Sequence, residues 1–237
     1  MKRVHRGELI QELADRTIVR RLPPGPPRLR GWSHLFAAFC AVAFTVALAV
    51  RTAGDWPRLG SMLLYGSITV LLFAGSAAYH MGHWTGRVRY GVRLLDHSNI
   101  FLKIAATATA ICYNVLDGWE RVAILGLVWT FAATGIATLV WTVRRSRWLR
   151  VALYVATGLS GAAALPSVVQ ALPLVAVWAF LAGGALYGLG AVIYARRWPN
   201  PFPGWFGHHE IFHVFVIAGA SSFGLAIWLW VVPFTRA

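Results

Sequence analysis

Seven apolar stretches, near residues 32–50, 60–82, 94–115, 122–143, 149–167, 172–195 and 209–233, constrain this chain more than any other feature of it. Each is close to the roughly 20 residues that a helix needs to cross a hydrocarbon core. In lipid an open strand would leave backbone N–H and C=O groups unpaired, so all seven are expected as helices. The composition agrees: 58% of the 237 residues are hydrophobic and 12 are Trp, well beyond a soluble domain. The expected fold is an all-α, seven-helix transmembrane bundle occupying residues 32–237, preceded by a basic N-terminal arm, residues 1–31. No small-residue cleavage pattern follows the first apolar run, so that run is expected to be retained as a span. The fifth and sixth runs are divided at a tight turn bracketed by Pro166 and Pro173, since fusing them would give an implausibly long helix.

A formal net charge of +14 raises the question of nucleic acid. The Lys and Arg residues, however, fall in short clusters between the apolar runs, with no basic helix face and no aromatic RNA-binding motif, so no nucleic-acid partner is expected. The charges read instead as topology, because short cytoplasmic loops carry the excess of Lys and Arg. One face collects the eight of the arm, then Arg87, Arg89 and Arg93, then Arg144, Arg145, Arg147 and Arg150, then Arg196 and Arg197. The other has Arg51, Arg58, Arg121 and Arg236. The N-terminus is therefore expected in the cytoplasm and the C-terminus outside, in a multi-pass protein of the cell membrane. Within the arm, Glu8 to Leu13 with Ile18 and Val19 fits either a short amphipathic helix on the headgroups or a basic segment held by anionic lipid. Cys40 and Cys112 lie in apolar runs and are expected as buried thiols. No internal repeat of the transporter kind is present.

The polar residues inside the spans carry the chemistry. His209-Glu-Ile-Phe-His213 places two imidazoles at i, i+4 on one stripe of a helix, with Cβ atoms about 6 Å apart. Ser76-Ala-Ala-Tyr-His80 places a hydroxyl one turn from an imidazole, and Asp96 stands at the head of the third run. With the topology above, all of these lie toward the cytoplasmic side. Three His nitrogens plus one water form the open tetrahedral arrangement of a catalytic zinc. Asp96 could hold that water and take its proton, and Ser76 could hold a ligand, a polarised carbonyl or an outer partner of the site. A lone histidine near a helix end is more often an interfacial residue, which is the reading for His5, His34, His83 and His97. For His80, His209 and His213 that reading is weaker, because intramembrane ionisable groups are expensive and usually functional. Lys103, two turns into the third run, is expected to snorkel or to pair with a carboxylate. Asp117 and Glu120 read as solvated loop charges, and Gly184-x-x-x-Gly188 as a close-packing motif.

Ser76-x-x-x-His80, Leu95-Asp96-His97-Ser98-Asn99-Ile100-Phe101 and His209-x-x-x-His213 with the following Val214-Phe-Val-Ile-Ala-Gly-Ala220 together resemble the haemolysin III branch of the progestin and adipoQ receptor family. The resemblance runs from about Trp32 to the C-terminus. It implies a seven-helix fold with a cytoplasm-facing zinc site, His80, His209 and His213 as zinc ligands, Asp96 as the water-holding aspartate and Ser76 as the family's serine. The receptor branch has Ser and Gln flanking the first histidine of the last motif, where this chain has His208 and Glu210. Its acidic signature ahead of the first span is matched only loosely, by Glu8 or Glu12.

Two functions compete on these residues. One is an intramembrane zinc hydrolase of a lipid amide or ester, as the ceramidase-like relatives of the receptor branch imply, with a membrane lipid as substrate or ligand. The other is a non-enzymatic sensor or receptor-like protein in which zinc only staples three helices, closed by a fourth ligand from His208, His97 or Asp96. A lytic factor, which the haemolysin name implies, has no physical basis in these residues.

Overall fold

A computed structural model describes residue 27 and residues 29–142 and 146–235. The amphipathic segment expected in the arm lies outside them. Helices account for nearly all of the described chain: α1 (Trp32–Arg51), α2 (Trp56–Met81), α3 (Gly86–Val115), α4 (Gly118–Thr142), α5 (Arg147–Ala162), α6 (Leu165–Ala171), α7 (Leu174–Arg196) and α8 (His208–Ala226), the last running on into one π-helical turn, Ile227–Val231. No strand occurs among the described residues.

The starts of these helices are written locally. The Asp55 carboxylate accepts from Arg58 N at 3.1 Å to cap α2, with Pro57 in its first turn. Ser146 Oγ accepts from Leu149 N at 3.2 Å to cap α5. Each such bond satisfies one of the amides that a helix start leaves without a partner. α3 begins at Gly86, two turns before the apolar run that announces it, because arginine-rich segments are good helix formers even though they are not membrane-like. The fifth and sixth runs part differently from the expected turn. Residues 165–171 form a short helix bent 45° from α5, since a proline in a first helical turn removes an N–H that would have had no partner anyway. The chain reverses at Leu172 and Pro173 instead.

α1, α2, α4, α7 and α8 with its π turn are each long and apolar enough to cross a membrane, and the bent α5–α6 pair passes the same test when counted as one span. α3, at 30 residues, qualifies by length alone: its first half carries Arg87, Arg89, Arg93 and Asp96, with Lys103 beyond. It is nevertheless the centre of the bundle, in contact with α2, α4, α5, α6 and the π turn, while α1 touches α8 and closes the ring. Tyr65, Phe101, Met62, Leu48 and Val128 are fully buried between these helices. Close approach of α7 and α8 depends on Gly183 and Gly219, where an added Cβ on Gly219 would lie 3.0 Å from the Gly183 carbonyl oxygen. Gly184 and Gly188 of the expected packing motif have no such neighbour.

Between α2 and α3 runs a buried polar seam. Asn99 Nδ2 donates to Leu71 O at 2.9 Å, Lys103 Nζ to Thr69 Oγ1 at 2.6 Å and Asn114 Nδ2 to Ser61 Oγ at 2.8 Å. Lys103 thus neither snorkels nor meets a carboxylate. Its Nζ lies 3.5 Å from the centroid of the Tyr65 ring, which with Thr69 replaces the water it has lost. Glu120 is not merely solvated, since it accepts from Ser167 Oγ at 2.6 Å and so ties α4 to α6, while Asp117 pairs with Arg121. Cys112 is buried as expected, but Cys40 lies on the exposed side of α1, where lipid can serve as its apolar surroundings.

Candidate metal centre

His80 stands in the last turn of α2, and His209 and His213 in the first two turns of α8. Their ligand-capable atoms lie within 4.8 Å of one another. His80 Nε2 and His209 Nε2 are 3.0 Å apart, and the ring centroids of the three are separated by 4.6 to 5.1 Å. Tetrahedral binding at 2.0–2.1 Å spaces ligand atoms by about 3.3–3.4 Å, so the trio needs only small side-chain movements to share one ion. Two facing imidazole nitrogens can form a hydrogen bond only if one of them keeps its proton, whereas both lone pairs can point at a cation. His213 Nδ1 is buried with no hydrogen-bond partner. The donor set and this stranded nitrogen fit a metal ion.

Asp96, on α3, faces His80, His97 and Ser76. Its carboxylate oxygen is 3.4 Å from His97 Nδ1, and Ser76 is buried one turn along α2 from His80. The structure therefore brings His80, His209, His213, Asp96 and Ser76 to one place at one end of the bundle. It does not bring His208 there. His208 turns to the loop before α8, where Asn200 Oδ1 accepts from its backbone N–H at 3.0 Å and lies 2.8 Å from its Nδ1.

Three further residues belong to the site, and sequence reasoning left them out or left them open. His34 on α1 is 3% exposed and stacks on His213, with ring centroids 3.8 Å apart and planes within 11°. Both of its ring nitrogens are buried and unpartnered, so it is no interfacial residue. The signal was its register: it occupies the first turn of a span that starts at the same face as His209. Glu210 is 2% exposed. Its Oε2 accepts from Gly207 N at 2.8 Å and its Oε1 from Arg30 Nε at 2.8 Å, so one carboxylate caps the helix that carries two of the histidines and holds the segment that enters α1. Gly31 has φ 90, and a Cβ there would come within 3.3 Å of His80 Cβ and 2.7 Å of Met81 Cγ. Only glycine is at ease with both that backbone and that closeness. Leu29 N donates to Trp205 O at 3.4 Å, which fastens the same segment beside the loop before α8.

With this geometry in hand, comparison with known proteins decides the family. The family described as Haemolysin-III related matches residues 26–223. The chain belongs to it. Hemolysin-3 of Bacillus cereus is 28% identical over 204 residues, covering 85% of this chain and 90% of that protein. Heptahelical transmembrane protein 5 of Arabidopsis thaliana is 32% identical over 195 residues, 74% of this chain and 50% of the plant protein. Heptahelical transmembrane protein ADIPOR2 of rice is 30% identical over 187 residues, covering 73% and 80% respectively. This haemolysin III protein is thus a multi-pass integral membrane protein of the haemolysin III branch of the progestin and adipoQ receptor family, as the three motifs implied.

Proposed function

We propose that this haemolysin III protein is a zinc-dependent hydrolase of a lipid amide or ester. It crosses the cell membrane seven times, with its N-terminus and metal centre on the cytoplasmic side and its C-terminus outside. The observation that carries the proposal is the convergence of three histidines from two helices beside a buried carboxylate from a third. His80, His209 and His213 would hold the ion. When bound, zinc would polarise the acyl carbonyl and bring the pKa of a coordinated water down toward about 7.

The remaining work falls to the chain's own groups. Asp96 accepts the proton from the attacking water as the new C–O bond forms, and returns it to the leaving amine or alkoxide as the acyl C–N or C–O bond breaks. Ser76 faces that carboxylate and fixes its direction, while His97 lies on its other side. The Glu210 cap sets the position of the first turn of α8, and with it His209. A membrane lipid reaches the site from the bilayer, so the acyl chains need not leave an apolar environment.

A purely structural zinc would ordinarily be closed by a fourth protein ligand. Of the three candidates for that place, His208 is engaged by Asn200 and His97 lies against Asp96, so the open, catalytic reading and the staple differ in what Asp96 does, as base or as fourth ligand. The test is turnover of a panel of ceramides and glycerolipids by zinc-loaded protein. Hydrolysis abolished by Asp96→Asn with zinc retained supports the proposal, and a wild type inactive on the whole panel overturns it in favour of a sensor.

A further inference from the structure

The entry to α1 meets the candidate metal centre at three points. Arg30 Nε donates to the Glu210 carboxylate at 2.8 Å, Gly31 packs against His80, and His34, at i+4 from Arg30, lies flat on His213. The third contact has an unusual geometry. Its ring centroids are 3.8 Å apart with planes 11° from parallel, closer than the roughly 4.5–7 Å at which aromatic pairs ordinarily settle. On α2, Phe73 meets the His34 ring with centroids 5.2 Å apart and planes at 60°, so the imidazole is held between two helices. Both of its nitrogens are buried without a hydrogen bond. What His34 offers its neighbours is therefore the face of its ring.

We infer that His34 is a positioning residue of the metal centre, whose stacked ring sets the plane of His213 and favours the ion-bound form of that ring. This rests on the metal-binding half of the proposal above and not on hydrolysis. A ligating imidazole is ordinarily aimed by a hydrogen bond from its second nitrogen to a carboxylate or a carbonyl. The His213 ring makes none among the described residues, and its Nδ1 is buried and bare. The stack takes the place of that bond. An ion lies in the plane of the imidazole that holds it, so a ring parallel to His213 and 3.8 Å away points past the ion, and His34 is no fourth ligand in this arrangement. The faces of two neutral rings carry like partial charge, which disfavours close overlay. A divalent cation on His213 draws electrons out of that ring, and the face of His34 then meets a positive partner, as in a cation–π pair. The contact is stronger with the ion than without it, and only such a difference raises affinity for the ion.

The experiment reads metal binding without turnover. Full-length protein in neutral detergent is stripped with chelator and titrated with zinc against a fluorescent competitor, and the d–d spectrum of the cobalt(II)-loaded form gives a second reading. His34→Leu fills the space without a ring; it should lower zinc affinity by about tenfold and change the cobalt spectrum. His34→Phe restores a ring face with no nitrogen, and should bind zinc within about twofold of wild type. The rise in Tm on adding zinc, taken for each variant against its own metal-free form, separates an effect on the ion from one on the fold. A leucine variant with the affinity and spectrum of wild type would overturn the inference. An equal loss in the leucine and phenylalanine variants would also overturn it, because the nitrogens of His34 and not its face would then be what the ion needs. Wild type that binds no zinc would remove the metal centre and this inference together, whereas zinc bound without hydrolysis of any lipid would leave the inference standing and remove only the catalytic reading.

Discussion

Replacing Glu210 by Gln should loosen the metal centre without touching a metal ligand. The wild-type carboxylate accepts two charge-assisted bonds, from Gly207 N and from Arg30 Nε, each at 2.8 Å. Gln offers one oxygen for these two donors. The Gly207 amide is the donor that water cannot serve, so the amide oxygen is expected to stay with it. Arg30 then faces an NH₂ group, but with its side chain 24% exposed it can turn to water. Downgrading one bond from charged to neutral costs about 1 kcal/mol, and giving up the other about another 1–2 kcal/mol, for a total of about 2–3 kcal/mol, with the surface part of the ion pair discounted. Because Glu210 caps the turn that carries His209, zinc affinity should fall about 10–100-fold, as it does when outer partners of metal ligands are removed. Competition with a fluorescent chelator measures the affinity, and thermal unfolding in detergent measures the stability. Combining Arg30→Gln with Glu210→Gln should add little, since the two residues act as one unit. Lost stability with unchanged zinc affinity would refute the coupling between the cap and the metal site, and no change in either would refute the buried ion pair as well.

Protein purified without chelator should carry about one zinc per chain by atomic emission. His80→Ala, His209→Ala and His213→Ala should each lower this strongly and His5→Ala should leave it unchanged; full retention in all three site variants would remove the metal centre. Asp96→Asn should keep its zinc and lose acyl-lipid turnover by about 10²–10⁴, because an amide can hold water but cannot take its proton; near-normal turnover would exclude Asp96 as the base. Reporter fusions should place residue 1 in the cytoplasm and residue 237 outside, and a cytoplasmic C-terminus would break the topology on which the shared face of His80 and His209 was argued.

The histidine trio and its aspartate were legible in the sequence because alternation of the expected spans puts the end of the second and the heads of the third and seventh at one face, and i, i+4 spacing fixes which side chains share a stripe. His34 was not, since a single histidine in a first turn looks the same whether it points to headgroups or lies flat on a neighbour's ring. Only the approach of α1 to α8 separates the two cases. The polar seam escaped for a different reason. Asn99, Lys103, Thr107 and Asn114 recur at intervals of four, four and seven, the period of one helix face, yet apolar residues on the other faces of α3 give the run the look of an ordinary span. Ser61 and Thr69 across from them are individually common in membrane helices. Glu210 could be seen as a carboxylate near the site, but its partner Arg30 lies 180 positions away, and no local pattern connects them.

The seam also bears on how the chain enters the membrane at all. A helix with a lysine near its centre meets an insertion penalty of about 2.5–3.5 kcal/mol for that residue alone, against gains of about 0.3–0.6 kcal/mol for each strongly apolar one. α3 adds Asp96, Asn99 and Asn114 to that burden, so it is poorly suited to partition into lipid by itself during synthesis. α2 is apolar enough to go first, and the connection between them is only the four residues 82–85. Thr69, Ser61 and the Leu71 carbonyl are then already at depth to receive the polar side chains of α3 as they arrive. The α2–α3 hairpin is accordingly the smallest unit in which Asn99, Lys103 and Asn114 have their partners. A hairpin that enters as one unit commits its turn, beside His80, to one side of the membrane before any later helix of the candidate metal centre has been made.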